Sequence, residues 1–213
     1  MIQFAIDTDE MLHEQRAFGA HGVLEVELLP ATDEFMEETE IWYIEMQTPI
    51  GLVVVTSDGD AVTGLYMESH KHRPVNRDYW IHDVREEIAV LRAAKLQLAE
   101  YFAGERTEFD LPLAATGSDV QKVVWRELSN IPYGETRSYG EIARIIGKPK
   151  ASRAVGSANG RNPISIIVPC HRVIGADGSL TGFGGGIERK QWLLAHEAKV
   201  AGTAQLMSMQ TPR

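Results

Sequence analysis

The sequence predicts an α+β chain: a small N-terminal α/β domain built on an antiparallel β-meander, then a mostly helical C-terminal domain containing a helix-turn-helix. Three observations predict it. Short apolar runs separated by turn residues fill 41–67, the pattern of consecutive hairpin strands. Apolar residues at helical spacing take over from Val84. Two short helical stretches joined by a Gly-containing break lie between Ser138 and Asn159. The chain divides into an acidic extension without clean periodicity (1–40), the N-terminal domain (41–113), the C-terminal domain (114–200) and a tail expected to be flexible (201–213).

Ile41 to Met46 and Leu52 to Thr56 are expected as strands across the turn Thr48-Pro49-Ile50-Gly51. Ser57-Asp58-Gly59-Asp60 turns the chain into a third run, Ala61 to Met67. His70 to Asp83 is polar, so it is expected as a solvated loop, and His70 and His72 as loop residues rather than a metal pair. Val84 to Phe102 carries Ile88, Leu91, Leu96, Leu98 and Phe102 at helical spacing and stops at Gly104. Glu108 to Leu113 looks extended. Ser118 can cap a helix Asp119 to Ser129 with Val120, Val123, Val124 and Leu128 on its apolar side. Ser138-Tyr139-Gly140-Glu141 is a capping box opening a helix through Ile145. Gly147-Lys148-Pro149 breaks it, and a second helix runs from about Ala151 to Asn159. An apolar strand, Ile164 to Val168, then delivers Cys170, and the glycine-rich Gly182 to Gly186 precedes a last helix, Ile187 to Glu197.

Composition narrows the function classes. A net charge of −9 opposes a phosphate-rich partner, but twelve of the 30 acids fall in residues 1–47, against Arg16 alone. Between Arg137 and Arg161 the balance inverts, with Arg137, Arg144, Lys148, Lys150, Arg153 and Arg161 against Glu141. Met1 to Glu10 holds three acids and no basic residue, unlike a secretory or transit signal. No apolar run reaches the ~18 residues of a membrane span. The expected compartment is the cytoplasm, with no membrane partner.

Cysteine occurs once, at Cys170, between Ile167-Val168-Pro169 and His171-Arg172-Val173. One thiol cannot form an internal disulfide or a multi-cysteine zinc site. It is either core filler or a reactive group. The helix near Ala151 adds a second oddity. Ala151, Ala154, Val155 and Ala158 form one apolar stripe, while Ser152, Gly156, Ser157 and Gly160 make the other side small apart from Arg153. A helix is about 10–12 Å across and a DNA minor groove about 6 Å wide, so a helix entering that groove must be smooth. Tight packing in a small domain explains the same composition.

Pro169-Cys170-His171-Arg172-Val173, with Asn162-Pro163 before it and Gly182 to Gly186 and Trp192 to Glu197 after it, resembles the O6-alkylguanine-DNA alkyltransferases, bacterial methylated-DNA–protein-cysteine methyltransferases above all. The likeness is nearly gap-free from about Trp125 to Glu197 and looser from Ile41. It implies DNA repair by direct reversal, the alkyl group passing from O6 of guanine to Cys170. His171 and Glu197 would activate the thiol through a water, and Tyr139 would donate to the leaving base. Arg153 would fill the gap left by the flipped nucleotide, and Asn162 would brace the turn before the reactive segment. Lys148, Ser152 and Gly156 would face DNA with Arg153 and Tyr139. Backbone at Cys170, Val173 and Gly184 would read the guanine edge, and Phe183 would line the pocket. The partner would be double-stranded DNA carrying O6-alkylguanine, met through the minor groove by a monomer, with no cofactor and no metal. O4-alkylthymine and cooperation along DNA stay open. Phe183 stands where many relatives have tyrosine, Val120 where many have phenylalanine, Gly184 where some carry a side chain, and the leader has no counterpart.

The chemistry is consistent with this. An O6-methyl group is a poor electrophile, and a thiol of pKa about 8.5 is mostly protonated at neutral pH, so a neighbouring base must take the proton as attack occurs. The thioether product resists water, which predicts one transfer per molecule. Two other classes share features. A non-reacting DNA-binding module would use the helix pair and Arg153 but has no need of Cys170. A cysteine hydrolase would share the Cys-His-acid set, although its partners normally lie far apart in sequence.

Overall fold

The computed structural model describes residues 40–74 and 77–203. The acidic leader and the tail beyond Thr203 lie outside them.

The meander forms as the turn residues dictate. β1 (Ile41–Thr48) and β2 (Gly51–Ser57) pair antiparallel through the register Thr48↔Gly51, and β3 (Val62–Met67) pairs antiparallel with β2. Gly51 sits at φ 97°, which a side chain would strain, and the Thr48 hydroxyl donates to its carbonyl at 2.6 Å. A fourth strand, β4 (Trp80–His82), was not expected. It pairs parallel with β1, giving the order β3-β2-β1-β4. The solvated loop expected over His70 to Asp83 is therefore part strand, and His70 is buried. Three residues are too few to show a period, and a parallel partner is chosen by tertiary contacts.

α1 (Ala89–Ala103) begins five residues later than the apolar spacing suggested. The Asp83 carboxylate accepts from the backbone N–H of Glu87 at 2.8 Å and of Ile88 at 2.9 Å, holding 84–88 as a lead-in. The helix stops at Gly104 (φ 78°), and Leu96 faces solvent. α2 (Asp119–Ser129) carries the Ser118 cap, reinforced by Gln121. Its buried side is Val124, Trp125 and Leu128, with Val120 and Val123 exposed, which corrects the expected stripe. Trp125 decides the rotation: its indole is buried and donates to the Ala158 carbonyl at 2.9 Å.

Ser138 and Glu141 form the expected capping box at α3 (Tyr139–Ile145). α4 (Ser152–Gly160) packs against α3 and α2, burying Val155, Ala158 and Asn159. Ala154 is exposed, so the apolar stripe is narrower than expected and the outer face smoother. β5 (Arg137–Ser138) and β6 (Val173–Ile174) form a two-stranded parallel sheet.

The strand expected to deliver Cys170 is a folded loop instead. Ile164 bridges Leu65 of β3, Ser165 bridges Val168, and Ile166 takes φ 72°. Cys170–Arg172 is a single 3-10 turn. α5 (Ile187–Val200) runs three residues past its expected end. One core joins the sheet, α1 and the C-terminal helices, with Val55, Leu65, Leu98, Ile164 and Leu193 all fully buried. Among the described residues no helix is long and apolar enough to cross a membrane.

Candidate active site

Asn162 shapes the loop that presents the thiol. Its side-chain amide donates to the Val168 carbonyl at 2.8 Å, and its carbonyl accepts from the Ile164 N–H at 3.1 Å. One buried residue thus cross-braces the loop at both ends. The Cys170 N–H returns to the Val168 carbonyl at 2.8 Å, and the side chain is left 2 % exposed. Burial pushes its pKa up, while the Asn162 and Ser165 side chains and the Lys190 charge pull the other way without prevailing. The resting sulfur is a thiol.

The next residue is a buried histidine. His171 is fully buried, and its Nε2 lies 2.8 Å from Glu197 Oε1. Burial lowers the imidazole pKa against the pull of the Glu197 carboxylate, so the ring is neutral. A neutral imidazole facing a carboxylate must present its N–H there, which puts the proton on Nε2 and the lone pair on Nδ1. His171 Nδ1 is buried and has no hydrogen-bond partner among the described residues. The tautomer that a proton acceptor needs is thus set by Glu197.

Glu197, on α5, is itself held by five donors. Oε1 accepts from His171, from the Tyr101 hydroxyl at 2.8 Å and from Arg172 Nη2 at 3.0 Å. Oε2 accepts from Arg172 Nε at 2.9 Å and the Gly134 N–H at 3.2 Å. Burial would raise its pKa, but His171 and the Arg172 pair overcome that and hold the carboxyl well below the usual range. Arg172 also donates to the Ile131 carbonyl at 2.6 Å and lies over the Tyr133 ring.

On the other side, the Tyr139 hydroxyl, at the first residue of α3, donates to the Thr181 carbonyl at 2.9 Å. A Cβ at Gly182 (φ 66°) would come within 2.8 Å of that hydroxyl, so glycine is required for the loop to pass. Gly156 of α4 lies beside the Tyr139 ring, where a Cβ would make ordinary contact at 3.7 Å. Phe183 is buried edge-on to His171, with ring centroids 6.5 Å apart. Val173 is fully buried, and its carbonyl accepts from Lys190 Nζ at 2.5 Å. The Gly184 carbonyl is engaged by the Lys71 N–H at 3.0 Å, and a Cβ at Gly184 would meet His70 Nε2 at 2.5 Å. Gly184 is therefore a packing point against His70. Lys148, Ser152 and Arg153 lie exposed on the α3–α4 face, away from the buried network.

Five neighbours escaped the sequence reading: Arg172 pairs with Glu197 and Tyr101 donates to it, Lys190 is fully buried behind Val173 and Thr181, Ser165 sits beside the sulfur, and His70 contacts Ser165. Arg172 lies inside the Pro169 to Val173 motif, so its position carried a signal. Tyr101 lies 96 residues from Glu197 and carried none.

Two family profiles cover this architecture. The 6-O-methylguanine DNA methyltransferase ribonuclease-like domain matches residues 41–115, and the DNA-binding domain of the same family matches 119–199. The chain belongs to the 6-O-methylguanine DNA methyltransferase family. A methylated-DNA–protein-cysteine methyltransferase of Mycolicibacterium paratuberculosis is 53% identical over 159 residues, covering 75% of this chain and 93% of that protein. One from Methanosarcina acetivorans is 49% identical over 157 residues, 74% of this chain and 98% of that one. The crystal structure of Mycobacterium tuberculosis OGT in complex with DNA superposes with a TM-score of 0.68 at 51% identity, over 75% of this chain and 94% of that chain. The α+β architecture of this methyltransferase-family chain is thus shared with solved relatives.

Proposed function

We propose that this protein repairs DNA by moving an alkyl group from O6 of guanine to Cys170, once per molecule and irreversibly. The observation that carries the reading is the neutral His171, with Nδ1 unpaired and Nε2 clamped by an ionised Glu197, directly following the one cysteine in the chain.

The base must leave the duplex for a thiol to reach O6, at a cost of a few kcal/mol. The α3–α4 pair serves as the helix-turn-helix. The outer face of α4 carries Ser152, Ala154 and Ser157, with Arg153 as its one long side chain, a surface narrow enough for the minor groove. Arg153 enters the stack where the base departs, and exposed Lys148, Lys150 and Arg161 lie along the phosphates. The protein acts as a monomer on double-stranded DNA.

In the pocket, the Cys170 proton passes through a water to His171 Nδ1, and the imidazolium is stabilised by Glu197. The sulfur lone pair forms the S–C bond as the C–O6 bond breaks, and that electron pair moves onto the purine. The Tyr139 hydroxyl turns from the Thr181 carbonyl to a ring nitrogen of the departing guanine, and Phe183 flanks the base. Main-chain groups at Cys170 and Val173 read the guanine edge. A thioether has no leaving group for water to displace, so the protein is consumed.

The test compares wild type with Cys170→Ser on duplex DNA carrying O6-methylguanine. The variant should bind as wild type does and transfer nothing. Wild type that binds the lesion without ever acquiring a methyl group would overturn the reading.

A further inference from the structure

Beside the sulfur, opposite in sequence and origin to His171, lies a second chain of polar groups. Ser165 Oγ is 3.9 Å from Cys170 Sγ and 3.3 Å from His70 Nε2. All three residues are buried: Ser165 is 1% exposed, Cys170 2% and His70 7%. We propose that Ser165, oriented by His70, is a second positioning arm of the acceptor site, whose hydroxyl donates to the Cys170 sulfur as negative charge develops there. The proposal rests on the alkyl-acceptor reading above and adds two residues to it.

The arm is built, not incidental. Ser165 is fixed by its bridge to Val168 and by the reversed backbone at Ile166. His70 reaches it from the segment after β3, and β3 itself is tied to the loop before Cys170 by the Leu65 N–H donating to the Pro163 carbonyl at 2.8 Å. Gly184 lets the imidazole through, since any side chain there would collide with His70 Nε2. The Lys71 N–H bond to the Gly184 carbonyl holds the two segments together.

The direction of the hydrogen bonds follows from the ring's other edge. A serine hydroxyl has one proton to give. His70 is neutral at physiological pH, because burial above all, and then the positive charges of Arg73 and Arg189, disfavour its cation. His70 Nδ1 is buried without a partner among the described residues. An orphaned N–H is rarer in folded proteins than an under-used acceptor, so the ring proton belongs on Nε2, pointing at Ser165. Ser165 then accepts from His70 and has its own proton free for sulfur. Among the described residues, the other polar and charged groups that interact with that sulfur include Asn162, Lys190 and Tyr139, and His171 follows it in sequence.

The test uses two readouts on full-length protein: single-turnover transfer from O6-methylguanine duplex, and Cys170 alkylation by iodoacetamide as a function of pH without DNA. Ser165→Ala should slow transfer at neutral pH by about five- to tenfold, the range for losing a weak bond to a charged acceptor. It should also move the iodoacetamide midpoint to higher pH. His70→Leu should do the same, and His70→Gln, whose amide N–H can replace Nε2–H, should shift the midpoint less than His70→Leu. Thermal melts identify any variant that is merely unfolded. A midpoint unchanged in folded Ser165→Ala overturns the proposal. If wild type never transfers the methyl group yet the midpoint still moves, the arm stands and the alkyl-acceptor reading falls.

Discussion

Arg172→Met is the perturbation that most sharply probes how the site is held. Methionine fills a comparable volume, so the change is one of charge and hydrogen bonding. The guanidinium makes two bonds to the buried Glu197 carboxylate and one to the Ile131 carbonyl. Breaking a buried ion pair by removing one partner costs about 3–5 kcal/mol, and an orphaned carbonyl adds about 1 kcal/mol. The loss of about 4–6 kcal/mol is a large share of a typical stability of about 5–15 kcal/mol. Urea denaturation followed by tryptophan fluorescence measures it. The deficit should depend on pH with a definite sign. In wild type the folded carboxyl pKa lies below its unfolded value, so Glu197 stabilises above the unfolded carboxyl pKa, and that contribution fades as pH falls through the folded one. Without Arg172, burial is less opposed and the folded pKa rises. The variant's deficit is then greatest at neutral pH and shrinks in acid. A loss below about 1 kcal/mol, or one that is flat with pH, would refute this account of the network.

Other outcomes follow from the same geometry. His70 is held down to about 4, mainly by burial and then by neighbouring positive charges. Because its folded pKa is below the unfolded value, stability should fall as pH drops from about 6.5 toward 4, by up to about 3 kcal/mol. His70→Gln should remove that part of the slope when the two proteins are compared across the same pH series. Tyr139→Phe deletes the hydroxyl now on the Thr181 carbonyl and should reduce single-turnover transfer by about ten- to a hundredfold while leaving lesion binding within a few-fold. Arg153→Ala should leave the melting temperature unchanged, since Arg153 is exposed, yet weaken lesion capture and base extrusion, seen by fluorescence of a 2-aminopurine placed beside the lesion.

The local devices were the most legible part of the sequence. The Ser118 and Ser138 caps, the Gly104 stop and the turn at Thr48 to Gly51 each depend on residues within four positions of one another, and each forms as expected. What escaped was set by distant contacts. β4 exists because β1 offers it an edge, and α2 rotates because Trp125 finds the Ala158 carbonyl. Ala154 is exposed, while Val155, Ala158 and Asn159 are the buried residues of α4. At the site, Tyr101 reaches Glu197 from α1 and His70 reaches Ser165 from the end of β3. No spacing along the chain announces contacts between segments nearly a hundred residues apart. The apolar run 164–168 looks like a strand, whereas Asn162 and the reversed Ile166 fold it back on itself.

The central claim is that one sulfur accepts one alkyl group and keeps it. The most direct measurement is intact-protein mass, with peptide mapping, after incubation with an excess of duplex carrying O6-methylguanine. The account predicts a single added methyl group on the peptide containing Cys170, with repair halting at one equivalent of lesion per protein molecule. Lesion loss continuing past one equivalent, or repair with Cys170 still unmodified, would contradict it.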